Sequence, residues 1–153
     1  MQIHLLHENE TYIEAVAYMV YQEFAAHDRK MTYDDAVAFF SNTHLTTFPI
    51  TLIAIIDGEC AGTVSAFEND LKERPQYKPW LASLYVEPQY RNRKIGLRLM
   101  EALLSHVKAL GHTSIYLKTE NASDYYKQRG WTFIESVSDQ KNNHVDIFQY
   151  QLV

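Results

Sequence analysis

A strand–helix–strand unit at residues 80–119 constrains the fold more than any other feature of this chain. Residues 80–86 form an apolar run of strand length, 95–110 places apolar side chains at the helical period, and 114–119 alternates apolar with polar side chains. Two strands joined by a long helix lie parallel, with a right-handed crossover. The unit therefore predicts a parallel pair in the sheet, and ligands favour the carboxyl end of such a pair.

The flanking segments complete a prediction of mixed α/β architecture. Thr11 with Glu14 has the spacing of a capping box for a helix at 11–26, and Thr32 with Asp35 offers a weaker box for a helix at about 33–40. Further strands are predicted at 2–6, 51–56, 59–67, 131–137 and 145–152, with a short helix at 123–128. The predicted sheet has about seven strands and one parallel pair, strands 4 and 5, and about four helices flank it.

The length and apolar pattern predict a single domain at residues 1–153. A chain of 153 residues can bury a substantial core. It has no apolar run of membrane-spanning length, and its first ten residues, MQIHLLHENE, are too polar for an export signal. A cytoplasmic location is therefore predicted. Cys60, the single cysteine, excludes an internal disulfide and is predicted to be a packed core thiol.

The seven histidines do not have the spacing of a metal site. His4 and His7 bound the segment IHLLH, which has the pattern of an extended strand, and side chains three residues apart on a strand point to opposite faces. No paired cysteines accompany them, whereas structural zinc needs four ligands. The net charge of -5 also argues against non-specific nucleic-acid binding. We therefore expect no metal, nucleic-acid or membrane partner.

The turn between strand 80–86 and helix 95–110 concentrates positive charge. A helix that follows a strand directs unpaired N–H groups and the positive end of its dipole toward an anion. A solvated basic turn and a phosphate site both fit this pattern. The phosphate-loop fingerprints G-x-G-x-x-G and G-x-x-x-x-G-K-[ST] are missing, which disfavours dehydrogenase and kinase functions. The basic residues, four within eight positions, are Arg91, Arg93, Lys94 and Arg98.

Two stretches resemble the GNAT family of acetyl-CoA-dependent N-acetyltransferases. LYVEPQYRNRKIG, at 84–96, is similar to the family's strand followed by Arg/Gln-x-x-Gly-x-Gly/Ala. NASDYYKQRGW, at 121–131, is similar to its helix ending in a tyrosine, followed by glycine and an aromatic residue. The order of elements also matches, so the resemblance implies a GNAT-type fold. Lys94 replaces the first loop glycine, and Asn92 stands where many members have another. If position 94 requires a positive φ, lysine there costs about 1 kcal/mol.

The resemblance implies that acetyl-CoA is the cosubstrate. Its pantetheine arm is expected to pair with the backbone of Leu84 and Val86, and Asn121 is expected to add a hydrogen bond to that arm. The Val86 N–H is the candidate donor to the oxyanion. The diphosphate is expected on the backbone amides of Arg91, Asn92, Arg93, Lys94, Ile95, Gly96 and Leu97.

Tyr126 is expected to face the sulfur of the cofactor. A phenol pKa near 10 and a thiol pKa near 8.5 make complete proton transfer to the thiolate uphill by about 2 kcal/mol, so hydrogen-bond donation is the expected role. Its neighbour Tyr125 is expected to pack inward.

The general base is weakly marked in the sequence. Ser83 occupies the position on the fourth strand where a carboxylate would be convenient. Glu68, at the end of the third strand, is the preferred candidate. The alternatives are Glu23, Glu87 and an ordered water.

The resemblance therefore implies transfer of an acetyl group to a primary amine by direct attack, without a metal or covalent enzyme intermediate. The alternatives are transfer of a longer acyl group and a catalytically weak CoA-binding sensor. Because acidic residues lie along the first two helical segments, the acceptor is expected to be cationic. A homodimer is one possible assembly. These acidic residues are Glu8, Glu10, Glu14, Glu23, Asp28, Asp34 and Asp35.

Overall fold

The structure is a computed structural model that describes residues 1–25, 31–140 and 142–153. The chain forms two compact units, Met1–Ala66 with Ser83–Leu103 and Phe67–Ala82 with Leu104–Val153. We call them the first and second units. The assignment of 1–153 to a single N-acetyltransferase domain stays a prediction.

The strands form one mixed sheet of seven members, in the order β1-β2-β3-β4-β5-β7-β6. The β4–β5 pair is parallel, with Trp80 opposite Tyr116, whereas β1–β2, β2–β3, β5–β7 and β6–β7 are antiparallel. The predicted mixed sheet with a parallel pair of strands 4 and 5 is confirmed. The strands are β1 Gln2–Leu5, β2 Ile50–Ile56, β3 Glu59–Phe67, β4 Trp80–Val86, β5 Ser114–Thr119, β6 Thr132–Ser138 and β7 His144–Gln151.

Four α-helices are present in the described part of the chain, which agrees with the predicted number. A π-helical turn, Tyr21–Ala25, follows the first of them, and short 3-10 turns occupy Leu6–Glu8, Glu10–Tyr12 and Pro88–Tyr90. The α-helices are α1 Ile13–Val20, α2 Tyr33–Phe40, α3 Ile95–Ala109 and α4 Ser123–Gln128.

The first unit packs α1 and α2 against β2 and β3. Val16 and Phe40 from the helices form one buried cluster with Ile53 of β2. β2 is buried along nearly its whole length, because both of its faces are apolar. Asp57 and Gly58 have φ values of 50° and 80°, as a tight hairpin turn requires.

The predicted start of the first helix is wrong. Thr11 lies inside a 3-10 turn, so α1 begins at Ile13 with Tyr12 at its N-cap and without a side-chain capping bond. The Tyr12 hydroxyl instead donates to the Gly58 carbonyl at 2.9 Å, so a hydrogen bond joins the start of α1 to the β2–β3 turn. The predicted helix end at Ala26 lies outside the described residues.

The first strand is one residue shorter than predicted. It ends at Leu5, and His7, which we expected on or beside this strand, lies in the 3-10 turn that follows. The second capping box is confirmed, since Asp35 N donates to Thr32 Oγ1 at 3.0 Å and Thr32 N donates to Asp35 Oδ2 at 3.1 Å.

The second unit has a separate cluster around Trp80, which is fully buried. The loop at 69–79 contains no helix or strand. It is nevertheless anchored, because Arg74 donates to both carboxylate oxygens of Glu135, at 3.0 and 2.7 Å, and the Tyr77 hydroxyl donates to the same carboxylate. The Tyr77 ring also stacks on Tyr116 with centroids 4.7 Å apart.

Candidate functional site

The turn before α3 has an unusual backbone. Asn92 and Lys94 have φ values of 67° and 61°, while Arg93 between them does not lie in the positive-φ region. Such alternation directs successive N–H groups toward one side and forms an anion-binding concavity. Position 94 therefore does take the conformation that glycine favours. Asparagine tolerates it, whereas lysine pays about 1 kcal/mol of strain.

The amides that follow belong to the first turn of α3. The first helical hydrogen bond across this turn runs from Arg98 N to Lys94 O at 3.1 Å. The N–H groups of Ile95, Gly96 and Leu97 therefore precede the helical ladder and are available to an acceptor. Ile95 is 3% exposed, so its side chain belongs to the core and only its backbone can serve an anion.

Arg91 is held against the end of β4. Its Nε donates to the Val86 carbonyl at 2.9 Å, and its guanidinium lies 5.5 Å from the centroid of the Tyr85 ring. Arg93 similarly lies 5.7 Å from the ring of Tyr90. Two of the four basic side chains of this turn, Arg91 and Arg93, therefore contact aromatic rings of their own unit.

Leu84 and Val86 of β4, the two residues expected to pair with the cofactor, are half-buried. Glu87 N donates to Ala61 O at 2.8 Å, so pairing with β3 continues past the end of β4. At Gly62 of β3, an added Cβ would lie 2.7 Å from the Tyr85 carbonyl oxygen. Only glycine permits β3 and β4 to approach so closely here.

Two of the residues predicted as candidates for the general base, Glu87 and Glu23, affect the pKa of Tyr85. Burial raises the pKa of the Tyr85 phenol first, the charges of Glu87 and Glu23 raise it further, and Arg91 opposes them. Their influence on one phenol places both carboxylates in the electrostatic surroundings of the end of β4. Glu68, the preferred candidate, is exposed in a bend directly after β3.

Cys60 is a core thiol, as predicted. It is 7% exposed, and burial raises its pKa to about 12, an effect that a backbone hydrogen bond at Gly62 opposes and the charge of Glu87 augments. The thiol therefore remains protonated at neutral pH and is a poor nucleophile.

In the second unit, α4 presents Tyr126 to an aromatic surface. Its ring centroid lies 6.1 Å from Trp131 and 6.3 Å from Phe148, and its side chain is half-buried. Burial raises the pKa of Tyr126, the neighbouring Tyr125 adds to this, and Arg129 opposes it. Tyr126 consequently keeps its proton at neutral pH, as a hydrogen-bond donor must.

The expectation that Tyr125 packs inward is wrong. Tyr125 is 37% exposed, and the Arg129 guanidinium lies 3.5 Å from the centroid of its ring. Successive helical residues differ by about 100° in direction, so when Tyr126 faces Phe148 its neighbour must turn toward solvent.

Asn121 is exposed in the segment that joins β5 to α4. Ala122 N, beside it, donates to Thr119 Oγ1 at 3.0 Å. The next residue, Ser123, donates to Asp146 Oδ2 at 2.6 Å. Sequence reasoning missed Asp146, because it lies 23 residues from Ser123 and no local pattern marks the contact.

Sequence reasoning also did not identify Asp70 as a candidate proton acceptor. It lies in the loop after β3, with 22% of its side chain exposed, and burial raises its pKa to about 6, which the charge of Lys118 partly opposes. Lys118 Nζ donates to the Asp70 backbone carbonyl at 2.6 Å and lies 3.8 Å from its carboxylate. A carboxyl group with a pKa near 6 suits proton acceptance. The apolar Leu71 next to it, which is buried in the structure, was the sequence feature that could have indicated a buried position for this part of the loop.

Within 1–25, 31–140 and 142–153, no three His, Cys, Asp or Glu side chains are grouped so as to hold a metal ion. None of the described helices has the length and apolar character needed to cross a bilayer.

The chain belongs to the GNAT family of acetyltransferases. The family model described as "Acetyltransferase (GNAT) family" matches residues 7–131, which include both stretches of the sequence resemblance. No curated protein sequence matches the chain.

Solved structures share the fold over the whole chain. Aminoglycoside 6'-acetyltransferase type Ii has a TM-score of 0.77 at 16% identity, with 100% of this chain and 98% of that chain covered. An aminoglycoside 6'-N-acetyltransferase complexed with coenzyme A has a TM-score of 0.78 at 14% identity, with the same coverage. The structure of yncA from Salmonella typhimurium with its cofactor acetyl-CoA has a TM-score of 0.76 at 17% identity, covering 100% and 95%.

Proposed function

We propose that this GNAT protein is an N-acetyltransferase that moves the acetyl group of acetyl-CoA to a primary amine by direct attack. The observation that carries the proposal is the turn before α3. Two residues with positive φ, Asn92 and Lys94, lead into a helix whose first amides precede its hydrogen-bond ladder. This arrangement suits a diphosphate, which accepts hydrogen bonds from several backbone donors at once.

Acetyl-CoA is the proposed donor. Of the similar structures, one is a complex with coenzyme A and another contains acetyl-CoA as its cofactor. The turn residues Arg91, Asn92, Arg93, Lys94, Ile95, Gly96 and Leu97 are proposed to bind the diphosphate, and Leu84, Val86 and Asn121 are proposed to bind the pantetheine arm. No metal is part of the proposal, because the reaction needs only a base and hydrogen-bond donors.

In the proposed reaction, the amine nitrogen attacks the thioester carbonyl carbon, the C–S bond breaks, and CoA leaves as a thiolate. The Val86 N–H donates to the oxyanion of the intermediate, and the Tyr126 hydroxyl donates to the departing sulfur. Tyr126 suits this role because its raised pKa keeps the phenol protonated. The amine proton passes to a base.

Several carboxylates remain candidates for the base. Glu68 is the first proposal from the sequence, with Glu23, Glu87 and an ordered water as alternatives. Asp70 joins them because burial raises its pKa to about 6, close to neutral pH.

The acceptor is proposed to be a cationic amine, either a small molecule or a peptide. Asp28 lies outside the described residues, and Asp35 is engaged in the capping box of α2. An exposed acidic surface attracts ammonium groups and increases their encounter rate. The cytoplasmic location and a homodimeric assembly stay predictions. The acidic residues that are exposed along the first two helical segments are Glu8, Glu10, Glu14, Glu23 and Asp34.

A substrate screen tests the proposed function. Release of the CoA thiol would be followed at low salt with polyamines, aminoglycosides and basic peptides, and compared with amino acids and acidic amines. We expect turnover with cationic amines that rises between about pH 7 and 9, as the attacking amine loses its proton. Preference for acidic amines would contradict the acceptor proposal. Faster turnover with a longer acyl-CoA would favour the alternative donor, and tight acetyl-CoA binding without turnover would favour the sensor.

The binding turn has its own test with two controls. Gly96→Glu places bulk and negative charge at the proposed diphosphate site and should abolish acetyl-CoA binding in calorimetry. Gly96→Ala should bind like the parent, because its Cβ would meet Val86 Cγ2 at an ordinary 3.7 Å. Ser105→Glu adds the same charge nine residues further along α3, about 13 Å away, and should also bind like the parent. Unchanged affinity of Gly96→Glu would place the diphosphate elsewhere.

A further inference from the structure

We propose that Asp146 and Ser123 are positioning residues that hold α4 so that Tyr126 is presented to the reacting sulfur. The inference rests on the proposed function, since it concerns the donor role of Tyr126. It adds two residues for which neither the sequence pattern nor the family resemblance supplied a role.

The contact is short and involves a charged acceptor. Ser123 Oγ donates to Asp146 Oδ2 at 2.6 Å, and Ser136 Oγ donates to Asp146 Oδ1 at 2.6 Å. His144 Nε2 lies 3.9 Å from the same carboxylate. The hydrogen bond from Ser123, and next the one from Ser136, lower the pKa of Asp146, so the acceptor is ionised at neutral pH. Hydrogen bonds to a carboxylate are roughly twice as strong as neutral ones.

The spacing of the four residues connects this contact to Tyr126. Ser123 and Tyr126 are three apart on α4 and share one helix face, whereas Asp146 and Phe148 are two apart on β7 and share one strand face. Ser123 meets Asp146 at one end, and the Tyr126 ring lies 6.3 Å from the Phe148 ring at the other. Two contacts between these faces fix the rotation of α4, and with it the direction of the Tyr126 side chain.

The helix needs such a tether. It has six residues, Ser123–Gln128, and its N-cap residue Ala122 makes no side-chain capping bond. Isolated helices of this length are not stable in water. The carboxylate of Asp146 lies at the N-terminal end of the helix, where negative charge is favourable.

The opposite end of α4 is held by the backbone. Trp131 N donates to the Tyr126 carbonyl at 3.1 Å, and Gly130 provides the positive φ of 89° that this return requires. At this C-terminal end Arg129 Nη1 also donates to the Tyr125 carbonyl at 3.1 Å. The Asp146 contact supplies the side-chain restraint at the N-terminal end.

Two serine substitutions form a matched pair that tests the inference. Ser123→Ala and Ser136→Ala each remove one 2.6 Å hydrogen bond to the same carboxylate, but only Ser123 belongs to α4. We expect Ser123→Ala to lower kcat by roughly 3- to 10-fold with KM for acetyl-CoA within about 2-fold, because a displaced catalytic group affects mainly the transition state. Ser136→Ala should change kcat by less than about 2-fold. Ser123→Thr, which keeps the hydroxyl, should have the kcat of the parent.

A double-mutant cycle separates positioning from simple stabilisation. If Ser123 acts through Tyr126, Ser123→Ala should have almost no further effect on kcat in the Tyr126→Phe background. An equal loss in both backgrounds, or equal losses for Ser123→Ala and Ser136→Ala, would overturn the inference.

Amide hydrogen exchange tests the tether without any turnover. In Ser123→Ala the backbone amides of α4 should exchange about 5-fold faster than in Ser136→Ala, since local opening becomes easier. Equal exchange would overturn the inference even in an active enzyme. Absence of turnover in the parent with every amine would instead contradict the proposed function, and the exchange result would still decide whether Asp146 and Ser123 hold α4.

Discussion

Gly62→Ala tests how closely β3 and β4 must approach at the proposed site. An added Cβ would lie 2.7 Å from the Tyr85 carbonyl oxygen, 3.2 Å from Leu99 Cδ1 and 3.3 Å from Val86 Cα. Ordinary contact begins at 3.4 Å, so the backbone at Tyr85 must move by about 0.7 Å, the difference between 3.4 and 2.7 Å. A flexible side chain could turn aside, but two of these three atoms belong to the backbone of β4.

The expected loss of stability follows from these contacts. Overpacking costs about 1–3 kcal/mol, and contact with backbone places the cost in the upper half of that range. Replacing glycine returns about 0.5–1 kcal/mol, because alanine has less conformational entropy to lose on folding. We therefore expect Gly62→Ala to lower the free energy of unfolding by about 2 kcal/mol.

Urea denaturation followed by circular dichroism measures this change, provided the slope with denaturant is the same in the variant and the parent. Gly96→Ala is the matched control, since its Cβ would meet only Val86 Cγ2, at 3.7 Å. It should be as stable as the parent or slightly more stable. A Gly62→Ala variant within about 0.5 kcal/mol of the parent would refute the argument that glycine is required for the approach of the two strands.

Three further predictions concern single side chains. Tyr126→Phe should lower turnover by roughly one to three decades with unchanged stability, and Tyr125→Phe should do less; turnover equal to the parent would return Tyr126 to a packing role. Lys94→Gly should raise the free energy of unfolding by up to about 1 kcal/mol, because it removes the strain of lysine at positive φ. It should also weaken acetyl-CoA binding in calorimetry, because it removes the Lys94 ammonium, which we expect to contact a phosphate; tighter binding would contradict that contact. The Glu135 pKa is lowered from 4.5 to about 2, mainly by the Arg74 hydrogen bond, so its stabilising effect is complete above pH 4.5 and is lost as the pH falls toward 2. Glu135→Gln should make the unfolding free energy less dependent on pH in that window, and an unchanged dependence would show that this ion pair does not contribute.

Residues 80–119 were predictable because their patterns are strong and mutually consistent. The apolar strand, the helical repeat ending before Gly111 and the alternation at 114–119 each require one type of element. Their order requires a parallel pair, and the structure pairs Trp80 with Tyr116 in parallel strands. Here local pattern and overall topology favour the same structure.

The start of α1 could not be predicted from the same kind of signal. Thr11 and Glu14 have capping-box spacing, yet two 3-10 turns precede the helix and Tyr12 reaches the Gly58 carbonyl instead. The partner is 46 residues away, so tertiary contact outweighs the local motif. Thr32 and Asp35, which have no such distant partner among the residues that the structure describes, do form their box.

The site was predictable in its backbone and less so in its side chains. Lys94 stands where the family pattern has a glycine, which raised the question of a positive φ at position 94, and its φ is 61°. The positive φ of Asn92, 67°, was not predicted. The orientation of Tyr126 relative to Tyr125, the pairing of Arg91 with Tyr85 and the Asp146–Ser123 contact each depend on residues brought together by folding. Of these, only the motif around Tyr126 left a signal in the sequence.

A crystal structure of the protein with bound acetyl-CoA would test the central proposal most directly. We expect diphosphate oxygens within about 3 Å of the backbone nitrogens of Gly96 and Leu97, with Asn92 and Lys94 keeping positive φ. The Tyr126 hydroxyl is expected to be the protein donor nearest to the thioester sulfur. A diphosphate bound away from the turn at 91–96, or a thioester directed away from Tyr126, would contradict the proposed site.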